Sequence, residues 1–125
     1  AVQHSSSSMY CLVMEYCPGG NLHDKILDKR AWRKGRYNCS LRAPYWLGQV
    51  YLGLELMHVK AKTLFRDLKL QNIVLDARQC AKITDFGFGR IGVHSAGEWS
   101  FGYPTGTPGY VAPEILAKEE YNAKA

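Results

Sequence analysis

Hydrophobic and polar positions along the chain fall into short blocks, and the blocks predict elements. Val2 to His4 reads as the tail of a strand, and Ser5 to Ser8 as a connecting turn. Tyr10-Cys-Leu-Val-Met-Glu15 is an apolar run of strand length, and Pro18-Gly19-Gly20 closes it. Leu22, Ile26 and Leu27 predict one or two helical turns. Ser40 is placed to cap a helix, and Pro44 suits a first turn, where the amide it lacks needs no partner. Leu47, Val50, Tyr51, Leu54, Met57 and His58 then recur at helical spacing, which predicts an amphipathic helix of about five turns. His58 sits near its C-terminal end, where an imidazole can meet the last carbonyls. Ile73-Val-Leu75 and Ala81-Lys-Ile83 predict two strands joined by a turn at Asp76-Ala-Arg-Gln79. From Arg90 to Gly106 the pattern dissolves into glycines and polar residues with Trp99, Phe101 and Tyr103 between them, as in a long functional loop. A short helix is expected over Ile115 to Glu120. No internal repeat interrupts this order.

Composition narrows the class. The 125 residues are 46% hydrophobic and 22% charged, which suits one globular domain and excludes a disordered tail. No apolar run approaches the ~20 residues of a membrane span, and the serine-rich start lacks the pattern of a secretory signal. Cys11, Cys17, Cys39 and Cys80 are scattered without a Cys-x-x-Cys pair, which points to a reducing, cytoplasmic setting and to neither a disulfide framework nor a zinc site. The net charge of +5 is concentrated in Lys25, Lys29, Arg30, Arg33, Lys34 and Arg36, opposed only by Asp28. Such a cluster suits a solvated helix face or, alternatively, a surface for nucleic acid or anionic membrane. Trp32 and Tyr37 interleave it without any nucleic-acid-binding motif, so no nucleic-acid partner is expected.

The chemistry concentrates between Leu64 and Gly89, in Leu-Phe-Arg-Asp-Leu-Lys-Leu-Gln-Asn followed by Ile-Thr-Asp-Phe-Gly. Asp67, five residues before Asn72 in a polar turn, places a proton acceptor beside an oxygen ligand. Asp85, arriving on a following hairpin, adds a carboxylate suited to Mg²⁺, which prefers hard oxygen ligands. Phosphoryl transfer depends on positioning and charge neutralisation more than on covalent chemistry, so a base, an amide and a metal carboxylate form a minimal set for it.

Asp67-Leu-Lys-Leu-Gln-Asn72 resembles the catalytic loop of protein kinases, Asp85-Phe86-Gly87 their metal-binding motif, and Ala112-Pro113-Glu114 the close of their activation segment. The three stand in the right order at kinase-like separations. The resemblance implies an α+β, protein-kinase-like fold in partial form: residues 1–15 ending the small lobe, 16–21 the hinge, and 22–125 the large lobe to just past the activation segment. It implies ATP and Mg²⁺ as cofactors, with Asp67 as base and Asn72 and Asp85 on the metal. Met14 would be gatekeeper, the backbone of Glu15 and Cys17 would meet the adenine edge, and Val74 would lie under it. The hairpin would bring Asp85 back towards Asn72, and Asn21 and Thr84 complete the implied nucleotide-side set. Lys69 resembles the lysine that serine/threonine kinases hold near the transferred phosphate, and Thr107 the threonine that bonds the Asp67–Lys69 pair. A protein substrate with a Ser or Thr acceptor follows, and Phe88 resembles kinases that prefer Ser. Val13-Met-Glu-Tyr16 with Pro-Gly-Gly, Asp85-Phe-Gly-Phe88 and Gly106-Thr-Pro-Gly-Tyr-Val-Ala-Pro-Glu114 are similar to the cyclic-nucleotide-dependent kinases of the AGC group, nearest the cGMP-dependent branch, so a regulatory domain elsewhere in the parent chain is implied.

The departures carry information too. Phe65 replaces the usual His before Arg-Asp, which makes it a packing aromatic. Asn21 and Gln71 stand where those relatives often carry Glu, and in basophilic kinases the two carboxylates meet substrate arginines. Arg66 beside Asp67 implies control by a phosphorylated activation segment, with Ser100, flanked by Trp99 and Phe101, as acceptor; Gly102 to Thr105 lengthen the path back to Thr107. A glycine-rich loop, a Val-Ala-x-Lys strand and the glutamate that pairs that lysine do not occur in the 125 residues, so the resemblance implies a fragment that alone transfers little phosphate. A pseudokinase or scaffold, and a basic binding module built on the Lys25–Arg36 cluster, are the alternatives.

Overall fold

The computed structural model describes residues 11–28, 39–92 and 105–121. The expected elements at Val2–His4 and Ser5–Ser8, the cluster Lys29–Arg36 with Trp32 and Tyr37, and Ser100 with Trp99, Phe101 and Tyr103 lie outside them.

Two hairpins, one nested in the other, organise the molecule. The outer one is a ladder of two residues on each side, β1 (Thr63–Leu64) against β4 (Arg90–Ile91), antiparallel with Leu64 opposite Arg90. Gly92 N–H extends it by bonding the Lys62 carbonyl at 2.8 Å. Everything from Phe65 to Gly89 is therefore a loop whose two ends are tied together. Inside it, β2 (Ile73–Leu75) and β3 (Ala81–Ile83) form the expected hairpin, with Ile73 opposite Ile83. Its turn is fixed by Asp76, whose Oδ1 accepts from Arg78 N at 2.8 Å and Cys80 N at 2.9 Å, an Asx arrangement that replaces missing ladder bonds. Single 3₁₀ turns at Leu70–Asn72 and Phe86–Phe88 complete the loop.

Helix α1 (Leu22–Leu27) and the long α2 (Cys39–Val59) pack on the inner hairpin. Leu22, Trp46, Val50, Ile73 and Leu75 form the main core, with Leu54, Leu70, Ala81 and Ile83 against it. Trp46 also donates its indole N–H to the Gln79 carbonyl at 3.0 Å, and Gln49 Oε1 accepts from Ala81 N at 2.6 Å. These two bonds set the rotation of α2. The buried stripe runs through Trp46 and Val50, whereas Leu47 and Tyr51, expected inside, are 63% and 67% exposed. The helix also begins at Cys39, so Ser40 lies within its first turn and not at the position before the helix.

Glycine is required where the segment before α1 meets β2. Gly19 N–H bonds the Leu75 carbonyl and Leu75 N–H bonds the Gly20 carbonyl, both at 2.9 Å, and a Cβ at Gly19 would stand 2.6 Å from Leu75 Cβ. The run expected as a strand at 10–15 has no ladder over 11–15; what ties it across space among the described residues is Lys82 Nζ to the Glu15 carboxylate at 2.5 and 2.7 Å. Leu12 and Val13 are 82% and 94% exposed. An apolar sequence alone does not make a strand without a neighbouring edge to pair with.

A second, smaller core of Leu64, Ile115 and Tyr121, flanked by Val111 and Ala112, holds the C-terminal turns on the outer hairpin. The helix there, α3, spans Pro113–Leu116, earlier than the expected Ile115–Glu120. Pro113 is suited to a first helical position, and Lys118, at φ 58°, ends the turn. The partial kinase-like fold expected from sequence, helices with small antiparallel sheets, is the fold observed.

Candidate active site

Asp67 is the polar centre of the molecule. Its residue is 1% exposed, and both carboxylate oxygens are engaged. Oδ2 accepts from Lys69 Nζ at 2.7 Å and Asn72 Nδ2 at 2.9 Å. Oδ1 accepts from Thr107 N at 3.0 Å and Thr107 Oγ1 at 2.6 Å. Lys69 Nζ also reaches Thr107 Oγ1 at 2.6 Å, so the four expected residues Asp67, Lys69, Asn72 and Thr107 form one closed network. Burial works to raise the Asp67 carboxyl's pKa, but hydrogen bonds from Lys69, Thr107 and Asn72 outweigh it and hold the group below the ordinary aspartate value.

That shift has a stability consequence with a definite sign. The unfolded carboxyl titrates at about 3.9, and the folded one titrates lower. The network therefore stabilises the fold above about pH 4 and loses that contribution as pH falls towards the folded value. Between about pH 5 and pH 3, the urea midpoint of the full-length protein should fall further for wild type than for Asp67→Asn. Parallel slopes would show that Asp67 carries no depressed pKa.

Asn72 spends its amide N–H groups on Asp67, reaching the backbone carbonyl at 3.0 Å as well as Oδ2. Its own side-chain oxygen receives no donor among the described residues, although Asn72 is only 5% exposed. A buried amide oxygen without a donor is an unusual expense. Asp85 is exposed, in the left-handed region at φ 63°, and among the described residues its Oδ1 takes only a long 3.4 Å contact from Gly87 N. Asn72, just before β2, and Asp85, just after β3, thus carry one neutral and one anionic oxygen of the kind a hard divalent cation takes. Thr84 N–H bonds the Asn72 carbonyl at 3.0 Å and closes that hairpin beneath them.

Other expected residues are placed less directly. Val74 is partly buried on β2 opposite Lys82. Met14 is 65% exposed, and Cys17 uses its carbonyl in the turn that accepts Gly20 N. The Glu15 side chain pairs with Lys82, whose pKa it raises. Asn21 is the N-cap of α1: Oδ1 accepts from Asp24 N at 2.9 Å and Nδ2 donates to Asp24 Oδ2 at 3.0 Å. Of the basic cluster, Lys25 is described, and its ammonium serves Gln79 Oε1 and the Gly19 carbonyl. Phe65, buried, meets Phe86 edge to face with ring centroids 5.6 Å apart, as its packing role requires.

Arg66 is held from several sides. It sits at φ 66°, a conformation that costs a non-glycine residue on the order of 1–3 kcal/mol. Its Nε donates to the Phe88 carbonyl at 2.8 Å and Nη1 to the Tyr121 hydroxyl at 2.9 Å. Its carbonyl lies against Gly106, where a Cβ would come within 2.9 Å. Sequence singles out Gly106 only as the first residue of the Gly106–Glu114 stretch, and Tyr121 not at all. Gly106 had a signal, its place before Thr107; Tyr121 had none, since its partner lies 55 residues away.

The family model described as protein kinase domain matches residues 2–125. The chain is 35% identical over 119 residues to hormonally up-regulated neu tumor-associated kinase homolog B of Xenopus laevis, covering 95% of this chain and 18% of that protein. It is 36% identical over 124 residues to mouse serine/threonine-protein kinase N3, covering 93% of this chain and 12% of that protein. It is 40% identical over 111 residues to a Drosophila melanogaster protein kinase C, covering 89% and 14%. The chain thus spans less than a fifth of the length of these relatives.

Proposed function

Because this chain belongs to the protein kinase family, we propose that the full-length protein transfers the γ-phosphoryl group of ATP to serine or threonine hydroxyls of protein substrates. The observation that carries this reading is the closed network of Asp67, Lys69, Asn72 and Thr107.

Asp67 orients the acceptor hydroxyl and takes its proton. As the hydroxyl oxygen bonds to the γ-phosphorus, the bond from that phosphorus to the β–γ bridging oxygen breaks and ADP leaves. Asp67 has all its donors in place, so an acceptor hydroxyl displaces one of them, and the Thr107 hydroxyl is the natural one to yield. Lys69 then stands between base and threonine with its charge directed at the developing negative oxygens. The Asn72 side-chain oxygen and the Asp85 carboxylate are the groups that would hold Mg²⁺, which when bound neutralises phosphate charge. Met14, the backbone of Glu15 and Cys17, Val74 and Thr84 form the adenine-side wall in this reading, with residues 1–15, 16–21 and 22–125 as small-lobe end, hinge and large lobe.

An AGC-type assignment is supported by the motif wording and by the similarity to kinases named N3 and C; the cGMP-dependent branch rests on wording alone. Phe88 favours Ser over Thr by the same resemblance. Arg66 and Ser100 remain the proposed regulatory pair. Asn21 is spent on capping and Gln71 is uncharged, so substrate arginines lack the two carboxylates that usually meet them. Charge-assisted bonds are roughly twice as strong as neutral ones.

A positional peptide library with the full-length protein and ATP labelled on the γ-phosphate tests this. Label should appear on Ser above Thr and not on Tyr, with no strong selection for upstream arginine. Tyrosine labelling would overturn the acceptor class. A strong arginine requirement would overturn the weakened selection and move that role to Asp24, whose carboxylate stands exposed beside Asn21.

A further inference from the structure

The Arg66 guanidinium is fixed by two groups distant in sequence, the Phe88 carbonyl just after the metal motif and the hydroxyl of Tyr121. Tyr121 is 2% exposed and packs with Leu64 and Ile115, so its ring cannot swing away without opening that core. The loop behind the pair is not densely backed. A cavity of about 190 Å³ is lined by Phe65, Arg66, Leu68, Tyr110 and Tyr121 among others. Where apolar packing is incomplete, the polar tie carries more of the constraint. Arg66 itself is in a left-handed conformation that persists only if its surroundings hold it, and the next residue is Asp67.

We propose that Tyr121 is a positioning residue: through its hydroxyl on Arg66 it locks the backbone that aims Asp67, and it links the turn after α3 to the segment following Asp85. The inference rests on the kinase reading above. Tyr121 touches neither nucleotide nor acceptor in that reading, so its effect falls on the chemical step and not on ATP affinity.

The test is steady-state kinetics of the full-length protein with a serine peptide. Tyr121→Phe keeps the ring and removes only the hydroxyl. It should lower kcat about tenfold, the scale of one hydrogen bond to a charged group, with KM for ATP within twofold. Arg66→Lys keeps the charge but cannot serve Phe88 and Tyr121 together, so it should be at least as slow as Tyr121→Phe. The double variant should be no slower than Arg66→Lys alone, because both changes break the same tie. If Tyr121→Phe melts at a lower temperature, the Arg66→Lys kinetics decide alone, since that side chain lies outside the core. Unchanged kcat in a normally stable Tyr121→Phe, unchanged kcat in Arg66→Lys, or additive losses in the double, overturns the proposal. Asp67→Asn run in parallel separates the two levels. If it is inactive while the Tyr121 and Arg66 variants are normal, only this inference fails; if it remains fully active, the kinase reading fails.

Discussion

Asp67→Asn in the full-length protein is expected to lower kcat about a thousandfold, within the 10²–10⁴ contributed by a positioned general base, while KM for ATP stays nearly constant. The reason lies in the donors around the carboxylate. Every group within hydrogen-bonding distance of its two oxygens donates: Lys69 Nζ, Asn72 Nδ2, Thr107 N and Thr107 Oγ1. An asparagine offers one oxygen and one NH₂, so whichever way it turns, the NH₂ meets at least one donor that cannot rotate away. Turned towards Oδ1 it faces the Thr107 amide; turned towards Oδ2 it faces the Lys69 ammonium. The variant thus loses the base and also leaves Lys69, whose side chain is 18% exposed, without its anion. Breaking a buried charge pair by removing one partner costs on the order of 3–5 kcal/mol, so a drop in urea midpoint should accompany the lost activity. Single-turnover phosphoryl transfer and a urea titration on one preparation check both. A variant that retained wild-type turnover would remove Asp67 from the chemistry.

The parts of this site that sequence made legible share a property: they are local. Asp67, Lys69 and Asn72 fall within one turn, and the turn is closed by its own side chains. The β2–β3 hairpin was legible because two β-favouring runs flank an Asp-led turn, and the Asp76 carboxylate performs the capping that such a turn calls for. The outer ladder of β1 and β4 was not. Two residues per strand show no period, and Thr63 meets Ile91 only through long-range closure. The face of α2 was misread for a related reason. Spacing alone favoured Leu47 and Tyr51, but the Trp46 indole and the Gln49 amide bond the turn and strand of the inner hairpin, and those partners fix the rotation. The strand expected at 10–15 met the opposite fate: residues 11–15 have the right composition and no ladder. Asn21 shows a finer limit. Its departure from glutamate was visible in the sequence, but its use as the cap of α1 was decided by Asp24 three residues on.

Asp85→Asn should give the complementary phenotype to Asp67→Asn. Asparagine tolerates the left-handed conformation that Asp85 adopts at φ 63°, and the residue is exposed with one long 3.4 Å contact to Gly87 N. Little stability is therefore at stake, and the melting temperature of the full-length protein should stay within about 2 °C, as for surface changes generally. What the substitution removes is the anionic one of the two open oxygens, leaving the Asn72 amide oxygen to hold a divalent cation alone. Losing a partner that merely orients a metal ligand costs ~10–100-fold, so losing the charged ligand should cost at least about a hundredfold in affinity for Mg-nucleotide. Affinity for nucleotide without Mg²⁺ should not fall, because there the substitution only removes a negative charge from the site. Calorimetric titration of ATP with and without Mg²⁺, on wild type and both variants, separates the roles. Asp67→Asn should bind Mg-ATP as wild type does and fail to turn it over; Asp85→Asn should fail at binding. Magnesium-dependent affinity that survives in Asp85→Asn would place the metal elsewhere, and the Asn72 side-chain oxygen, without a donor among the described residues, would then need another explanation.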